Sequence, residues 1–594
     1  MSSARRCLAL VVAVALLTLA GCVSLPTSGP IEKVEGLEPA CQSCVNVDVA
    51  PPPPGGSKLD VVRGFLLANA NYQAGYTVAK QYLTRSAAER WSPEVAVTIY
   101  SQPPTVEDEQ VVLGGRLVGA LEEDLSFSTQ DTGFNYTFDL VQEDGEWRIG
   151  TPFPGLLIQQ DAFTSRYTAY NLYFPGSAGA LVPDPIYLPP LRNPAIFASS
   201  LVKALLDGPS TWLAPAVETA VPEGTSLSVG SVTIANGTAE VPLSGPGLQQ
   251  LDDAGRGLLA AQLVYTLRQV ATVQRVLLLD DSVPYRVPQS DPRGLAIPVR
   301  DVSPELDPIP VEGTEQPLHA VQDGAVVRVS ANADVLQVEK VAGGLGSGRY
   351  RVDSLAVSGT GNEVAVVTDR RTRLRRSAAE GATPTKVLSG VTGLLRPQIS
   401  RTGTIWALGQ REGRQRLWAV VGDQPVEVQA PVLAEGRVRA FRISPDGSRI
   451  ALLVRNGTHT RLFLALIQRT GSDSVAVVDE RELKVRQGVV GSTSSTSSDA
   501  TVRDMRDVAW GDATTLLVLA ASGDQGPYVL TEVSQDASSV QSEPAVGDWE
   551  PEELTVLLRT GTTVVQTDDR RVFRDEGQQW RPLLTGVTAV AYPG

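Results

Sequence analysis

The sequence predicts a multidomain protein: an α+β domain, then a small α/β domain, then an all-β propeller of about five to seven blades. Three observations predict it. Residues 58–160 place helical periodicity ahead of strand-like alternation, residues 165–290 interleave the two, and residues 315–594 repeat a strand–turn–strand unit. A chain of 594 residues exceeds what one hydrophobic core holds, so about three or four domains are expected.

The N-terminus fixes the compartment. Arg5 and Arg6 precede an apolar run from Cys7 to Ala20 that ends in the motif Leu19-Ala20-Gly21-Cys22, the build of a secretory signal peptide. The run falls short of the ~20 residues that span a bilayer. Leu-Ala-Gly-Cys resembles the lipobox of bacterial lipoproteins. That resemblance implies that Cys22 takes a diacylglycerol on its sulfur, becomes the mature N-terminus and is N-acylated there. The alternative is a plain signal peptide with an incidental Cys. Two or more acyl chains (palmitate or similar) anchor a protein stably, so the expected location is the extracytoplasmic face of the cell membrane.

Cleavage before Cys22 removes two arginines and no acid, taking the formal charge from −15 to −17. Such a chain repels nucleic acid and anionic headgroups, which argues against a nucleic-acid partner. Cys41-Gln42-Ser43-Cys44 lies in an oxidising compartment, where a small local disulfide is favoured over free thiols or redox work. A zinc site would need two further Cys or His ligands, and the histidines are only His319 and His459.

Residues 22–57 read as a tether, with Pro51 to Pro54 stiff and Gly55-Gly56-Ser57 flexible. In residues 58–160, Asp60 is the expected cap of a helix carrying Val62, Phe65, Leu66 and Ala70, and a second helix is expected near Tyr76–Leu83. Strands are expected at Val95–Tyr100, Gln110–Leu121 and Phe134–Val141, with Asp144-Gly145 turning into Trp147-Arg148-Ile149. Helices followed by a curved sheet ending in Asp-Gly-x-Trp resemble the nuclear-transport-factor-2-like (NTF2-like) cone.

In residues 165–290, strands are expected at Tyr167–Phe174, Leu227–Ile234, Ala239–Leu243 and Val273–Leu279. A helix opens at Pro194 and stops at Gly208-Pro209, a second carries Leu259, Leu263 and Leu267, and Asn236-Gly237 signals a hairpin. The run "LLDGPS", "VPEGTSL", "NGTAEVPLS", "QLVYTLRQVATVQRVLLL" resembles the GerM domain of bacterial sporulation and envelope proteins.

The repeat in residues 315–594 shows at "SLAVSGTGNEVAVV", "RPQISRTGTIWALG", "AFRISPDGSRIALLV" and "DVAWGDATTLLVL". The turn residues Ser358, Ser400 and Ser444 are 42 and then 44 residues apart, a propeller period. Ser444 to Gly511 is 67, and Gly491–Ser498 explains the excess as a polar loop. The last strand, in "GVTAVAYPG", is expected to close the ring against Ala325–Ser330.

No GxSxG, GxxxxGK[ST] or HExxH occurs, so no enzyme, cofactor or metal is predicted. His319 is expected ahead of the first blade and His459 on a hairpin turn. Asp446 reads as a turn former, the acidic pairs Asp252-Asp253 and Asp280-Asp281 as solvated surface, and the tryptophans as mostly buried.

Lipobox, tether, cone, GerM domain and propeller in this order resemble the actinobacterial LpqB lipoprotein family. The resemblance implies an accessory of the MtrA–MtrB two-component system that contacts the extracytoplasmic domain of the sensor kinase and affects cell-wall homeostasis and division. Of the site residues, it carries over only Cys22. Two other readings stand beside it: a binding module for cell-wall glycan or peptide, and a hydrolase of wall polymer.

Overall fold

The computed structural model describes residues 49–594 apart from 293–294, 301, 311–315, 333–334, 470, 472–473, 486–501, 503, 522–525, 546–548 and 578. Cys22, Cys41, Cys44 and the Ser-rich stretch Gly491–Ser498 lie outside the described residues.

The first domain opens with the helix Lys58–Ala70. Its N-cap is Ser57, not the expected Asp60. Ser57 Oγ accepts from the Asp60 N–H at 3.2 Å, and the Asp60 carboxylate accepts from the Ser57 N–H at 3.0 Å. In such a capping box the acidic residue sits three positions inside the helix, so it resembles a cap in the sequence without being one. Gln110–Leu121 pairs with Thr105–Glu107 and Val97–Tyr100, and along its length with Phe127–Thr137; Leu156–Gln159 joins Val97–Tyr100 in parallel. The expected strand Phe134–Val141 breaks at buried Phe138, whose N–H reaches the Val111 carbonyl, and Asp139–Glu143 then pairs with Glu146–Thr151. Asp144 and Gly145 turn that hairpin at φ 52° and 82°. Phe65, Trp91, Leu113 and Ile149 centre the core.

In the second domain, Thr168–Pro175 pairs antiparallel with Leu181–Leu188, a strand that Pro183 and Pro185 conceal in the sequence. Asn171 and Tyr173 stand opposite these prolines, which have no N–H to give. Two glutamines of the helix region Asp253–Gln269 meet the strand's backbone groups instead. Gln262 donates to the Tyr173 carbonyl at 2.9 Å, and Gln269 both donates to and accepts from the Asn171 backbone. The expected strand Leu227–Ile234 is two short ones, Ser226–Leu227 and Thr233–Ala235, parted by a turn at Gly230 with φ 70°. Asn236-Gly237 makes its hairpin at φ 49° and 74°. Thr238–Ser244 runs parallel to Arg275–Asp280, and the helices Pro194–Asp207 and Asp253–Leu267 pack with them around Leu201, Leu263 and Val276.

The propeller has six four-stranded blades. Val352–Val357, Gln398–Ile399, Arg437–Ile443, Met505–Trp510, Pro551–Leu557 and Val587–Ala591 form the inner ring. The C-terminal strand closes it, but one strand inward of the expected partner: Val587–Ala591 pairs with Leu318–Gln322, which separates it from Ala325–Asn332. Leu318–Gln322 is buried at four successive residues rather than alternating, so it lacks the half-buried strand pattern in the sequence. His319 therefore lies within blade 1, is 3% exposed, and is pushed down to about 4 by burial. His459 pairs with Asn456 at an exposed hairpin turn, as expected.

Candidate functional site: the domain junction and the propeller channel

The three domains meet at one hairpin of blade 5, Ser534–Val540, whose turn runs through Ala537 at φ 59°. Asp536 in that turn accepts from Tyr187 Oη of the second domain at 2.8 Å, and its carbonyl accepts from Thr129 Oγ1 of the first domain at 2.8 Å. Lys484 of blade 4 pairs with Asp131 of the first domain at 2.9 Å. Beside them Asp184 is held by the Ser210 N–H at 2.6 Å and hydroxyl at 2.8 Å. Burial pushes its carboxyl up to about 6 against those hydrogen bonds. Arg481 lies 3.5 Å from the centre of the Trp212 ring, donates to the Gln535 carbonyl, and is pushed down to about 10 by burial. Val182, Leu213 and Ala216 pack on Leu466 of blade 4 and supply the apolar part of the contact.

The Ser-Pro-Asp-Gly turn of blade 4 belongs to the same junction. Asp446 is a turn former as expected, accepting from Ser444 Oγ and from the Ser448 N–H, each at 2.9 Å. It is also fully buried and ion-paired to Arg449, a contact that no local sequence signal announces. Buried pairs of this kind fix geometry more than they add net stability. Asp184, Tyr187, Arg481 and Asp536 were not singled out in the sequence. Their partners are far apart in the chain, and no local spacing signals them.

The inner ring carries a second polar set. Arg442 pairs with both oxygens of Asp507 at 2.8 and 2.7 Å, and Asp507 also accepts from the Leu554 N–H. Arg396 donates to the Leu554 carbonyl at 2.9 Å and to Thr555 Oγ1 at 3.3 Å, while its buried Nε has no partner. Burial lowers Arg396 to about 10 and raises Glu553, whose carboxylate accepts from the Val590 N–H. Of these, Arg396, Arg442, Leu554 and Thr555 line a cavity of about 70 Å³. The segment Pro304–Pro310 crosses beside it, its carbonyls taken by Arg401 at 2.8 and 2.9 Å and by Arg559 at 3.4 Å.

Three hairpins at the opposite ends of the blade strands, in blades 2, 3 and 4, stand apart from these contacts. Among the described residues, no hydrogen bond or ion pair joins the first two domains to residues 369–372, 412–413 or 457–458. In blade 2, Asp369, Arg370 and Arg371 are successive left-handed residues at φ 58°, 57° and 61°. That conformation costs about 1–2 kcal/mol per residue. Asp353 holds it by accepting from the Arg371 N–H at 2.9 Å. Arg370 stands exposed at the tip, and Arg414 stands exposed on the blade 3 hairpin.

Among the described residues, no group of three or more His, Cys, Asp or Glu gathers to hold a metal, and no helix is long and apolar enough to cross a membrane. Trp91, Trp406, Trp418 and Trp510 are buried; Trp549 stacks on Phe573 at 3.7 Å, half-buried.

Comparison with known proteins places these domains. The family model for the N-terminal domain of lipoprotein LpqB matches residues 51–164, and that for the LpqB beta-propeller domain matches residues 324–593. A model described as sporulation and spore germination matches residues 171–285. A lipoprotein LpqB of Cutibacterium acnes is 30% identical over 609 residues, covering 98% of each chain. The chain belongs to the lipoprotein LpqB family. The LpqB of Streptomyces coelicolor is 27% identical, covering 97% of this chain and 96% of its own. Among solved structures, TolB from Acinetobacter baumannii is 13% identical with a TM-score of 0.34, covering 61% of this chain and 88% of its own. The LpqB relatives are named as lipoproteins, not as members of an enzyme family.

Proposed function

We infer that this LpqB-family chain is a lipid-anchored, extracytoplasmic, non-enzymatic accessory that modulates the MtrA–MtrB two-component system by contacting the sensor kinase. Cys22 carries the anchor, and the acidic body stands off the membrane on its tether. One observation carries the reading: the second domain and the Pro304–Pro310 segment lie at one end of the blades, while the opposite hairpins of blades 2 and 3 present Arg370 and Arg414. A body locked together at Asp536 and tied to the membrane by a leash keeps that open face at high effective concentration near a membrane partner. The exposed arginines suit an acidic partner surface.

The test is in-cell crosslinking of the anchored protein with mass spectrometry of the captured partners, using Cys22→Ala as the unanchored control. Enrichment of one sensor kinase, lost with the anchor, is expected. Recovery of wall fragments without a kinase would replace this reading with that of a wall-binding module.

A further inference from the structure

Charge is unevenly distributed in this acidic chain. Residues 369–469, in blades 2 to 4, carry seventeen arginines and one lysine against seven acids, a formal +11 in a chain of −15, so the remainder carries −26. This basic sector holds a groove of about 580 Å³ between the blade 3 hairpin and the segment that leads into blade 4. Arg414 lines it from the hairpin and Arg437 from the first strand of blade 4. Both residues are exposed, and among the described residues neither side chain has a hydrogen bond or an ion pair.

The acids nearby are largely matched. Glu427 on the groove wall pairs with Arg416 at 2.8 Å, Glu435 with Arg461 at 2.9 Å, and Asp423 with Arg376 at 3.8 Å. Glu412 on the hairpin has no such partner among the described residues, against two free guanidinium groups. The groove walls are also braced. Gln415 donates to the Val438 carbonyl at 3.0 Å and accepts from the Val438 N–H at 2.7 Å, which ties the hairpin to the first strand of blade 4. The backbones that carry Arg414 and Arg437 are therefore held at a fixed spacing, and such preorganisation lowers the cost of binding.

The rest of the wall decides which anion fits. Gln410 and Gln429 line the groove with side-chain amides that no described group uses, and Glu427 adds a carboxylate. Amide oxygens and a carboxylate need donors. A polyphosphate offers acceptors alone and would meet Glu427 with like charge. An acidic peptide offers carboxylates to the arginine forks and backbone N–H groups to the amides. Leu433 and Ala434 give its aliphatic carbons an apolar contact.

We propose that this groove docks an extended acidic segment of the partner protein, with carboxylates on Arg414 and Arg437 and backbone groups on Gln410 and Gln429. The proposal rests on the reading of these open hairpins as the partner-facing end of the propeller, and it adds the chemistry by which that end recognises its partner.

The full-length protein in detergent is titrated at low salt with a fluorescein-labelled peptide of alternating Asp and Gly, read by fluorescence polarisation. The same peptide with Ser for Asp, and linear polyphosphate, are the comparisons. Saturable binding of the acidic peptide, tighter than of either comparison, is expected. Arg414→Gln combined with Arg437→Gln weakens it about tenfold or more, as loss of charge-assisted hydrogen bonds does. Arg85→Gln combined with Arg90→Gln, exposed arginines of the first domain, leaves it unchanged. Gln429→Ala serves if the double variant fails to fold, and weakens binding severalfold. Circular dichroism establishes that each variant is folded. No saturable binding of the acidic peptide, tighter binding of polyphosphate or of the Ser peptide, or unchanged affinity in a folded groove variant overturns the assignment. Peptide binding that depends on the groove, with no kinase captured in cells, leaves the groove standing and sinks the kinase reading alone.

Discussion

Tyr187 donates its hydroxyl proton to Asp536 at 2.8 Å, joining residues of the second domain and the propeller that are 349 positions apart. Both are buried, and the Asp536 carbonyl holds Thr129 of the first domain as well, so all three domains meet at one turn. Tyr187→Phe removes the donor and leaves the Asp536 carboxylate buried with less to pair it. The expected cost is about 1–3 kcal/mol. Urea denaturation reads it directly. A double-mutant cycle with Asp536→Asn is expected to show coupling, because the two side chains share one bond.

The pH dependence of stability contains two opposed contributions. Asp184 has a folded pKa of about 6, above its unfolded value near 4, so the native state binds the extra proton and stability falls as pH rises from about 4 to 6. His319 has a folded pKa of about 4, below its unfolded value of about 6.5, so the unfolded state binds the extra proton and stability rises across the same window. Each of these differences between folded and unfolded states corresponds to about 3 kcal/mol. Asp184→Asn is expected to leave the rising limb and His319→Gln the falling one. Melting temperatures between pH 4 and 7 check both signs; parallel profiles in the two variants would contradict this assignment.

Gln262 is fully buried and replaces a missing strand, donating to the Tyr173 carbonyl and accepting from the Ala220 N–H. Gln262→Leu keeps the volume and orphans both backbone groups. A loss of about 2 kcal/mol is expected, against near neutrality for an exposed glutamine such as Gln424. Chemical denaturation of the two variants makes the comparison.

Ring closure rests on Val587, Ala589, Val590 and Ala591, all fully buried against blades 1, 2 and 6. Each valine contributes about 1.5–3 kcal/mol by burial. Ending the chain at Gly586 also exposes His319–Gln322 as a free edge, which templates aggregation. The truncated protein is expected to lose its cooperative propeller transition and to aggregate on size exclusion.

What could be read from the sequence was local. The Asn236-Gly237 and Asp144-Gly145 hairpins and the blade turns at Ser358, Ser400 and Ser444 rest on φ preferences and period-two burial that neighbouring residues encode. The strand Leu181–Leu188 was hidden because Pro183 and Pro185 signal loop, and only a glutamine-bearing helix from far along the chain makes a strand there tolerable. The closing strand was recognised but assigned the wrong neighbour, because pairing partners are chosen by ring geometry. Of the site, the Asp446 turn was visible, while its ion pair with Arg449 and the Tyr187–Asp536 link depend on surfaces that meet only in the folded body.

A photo-crosslinking amino acid placed at Arg370 on the open hairpin, and separately at Ile196, which is exposed on the second domain, locates the kinase contact. Both variants are made in the anchored protein and irradiated in living cells. The sensor kinase is expected to be captured from position 370 and not from 196. Capture of the kinase from 196 alone, or of wall material alone from 370, would contradict it.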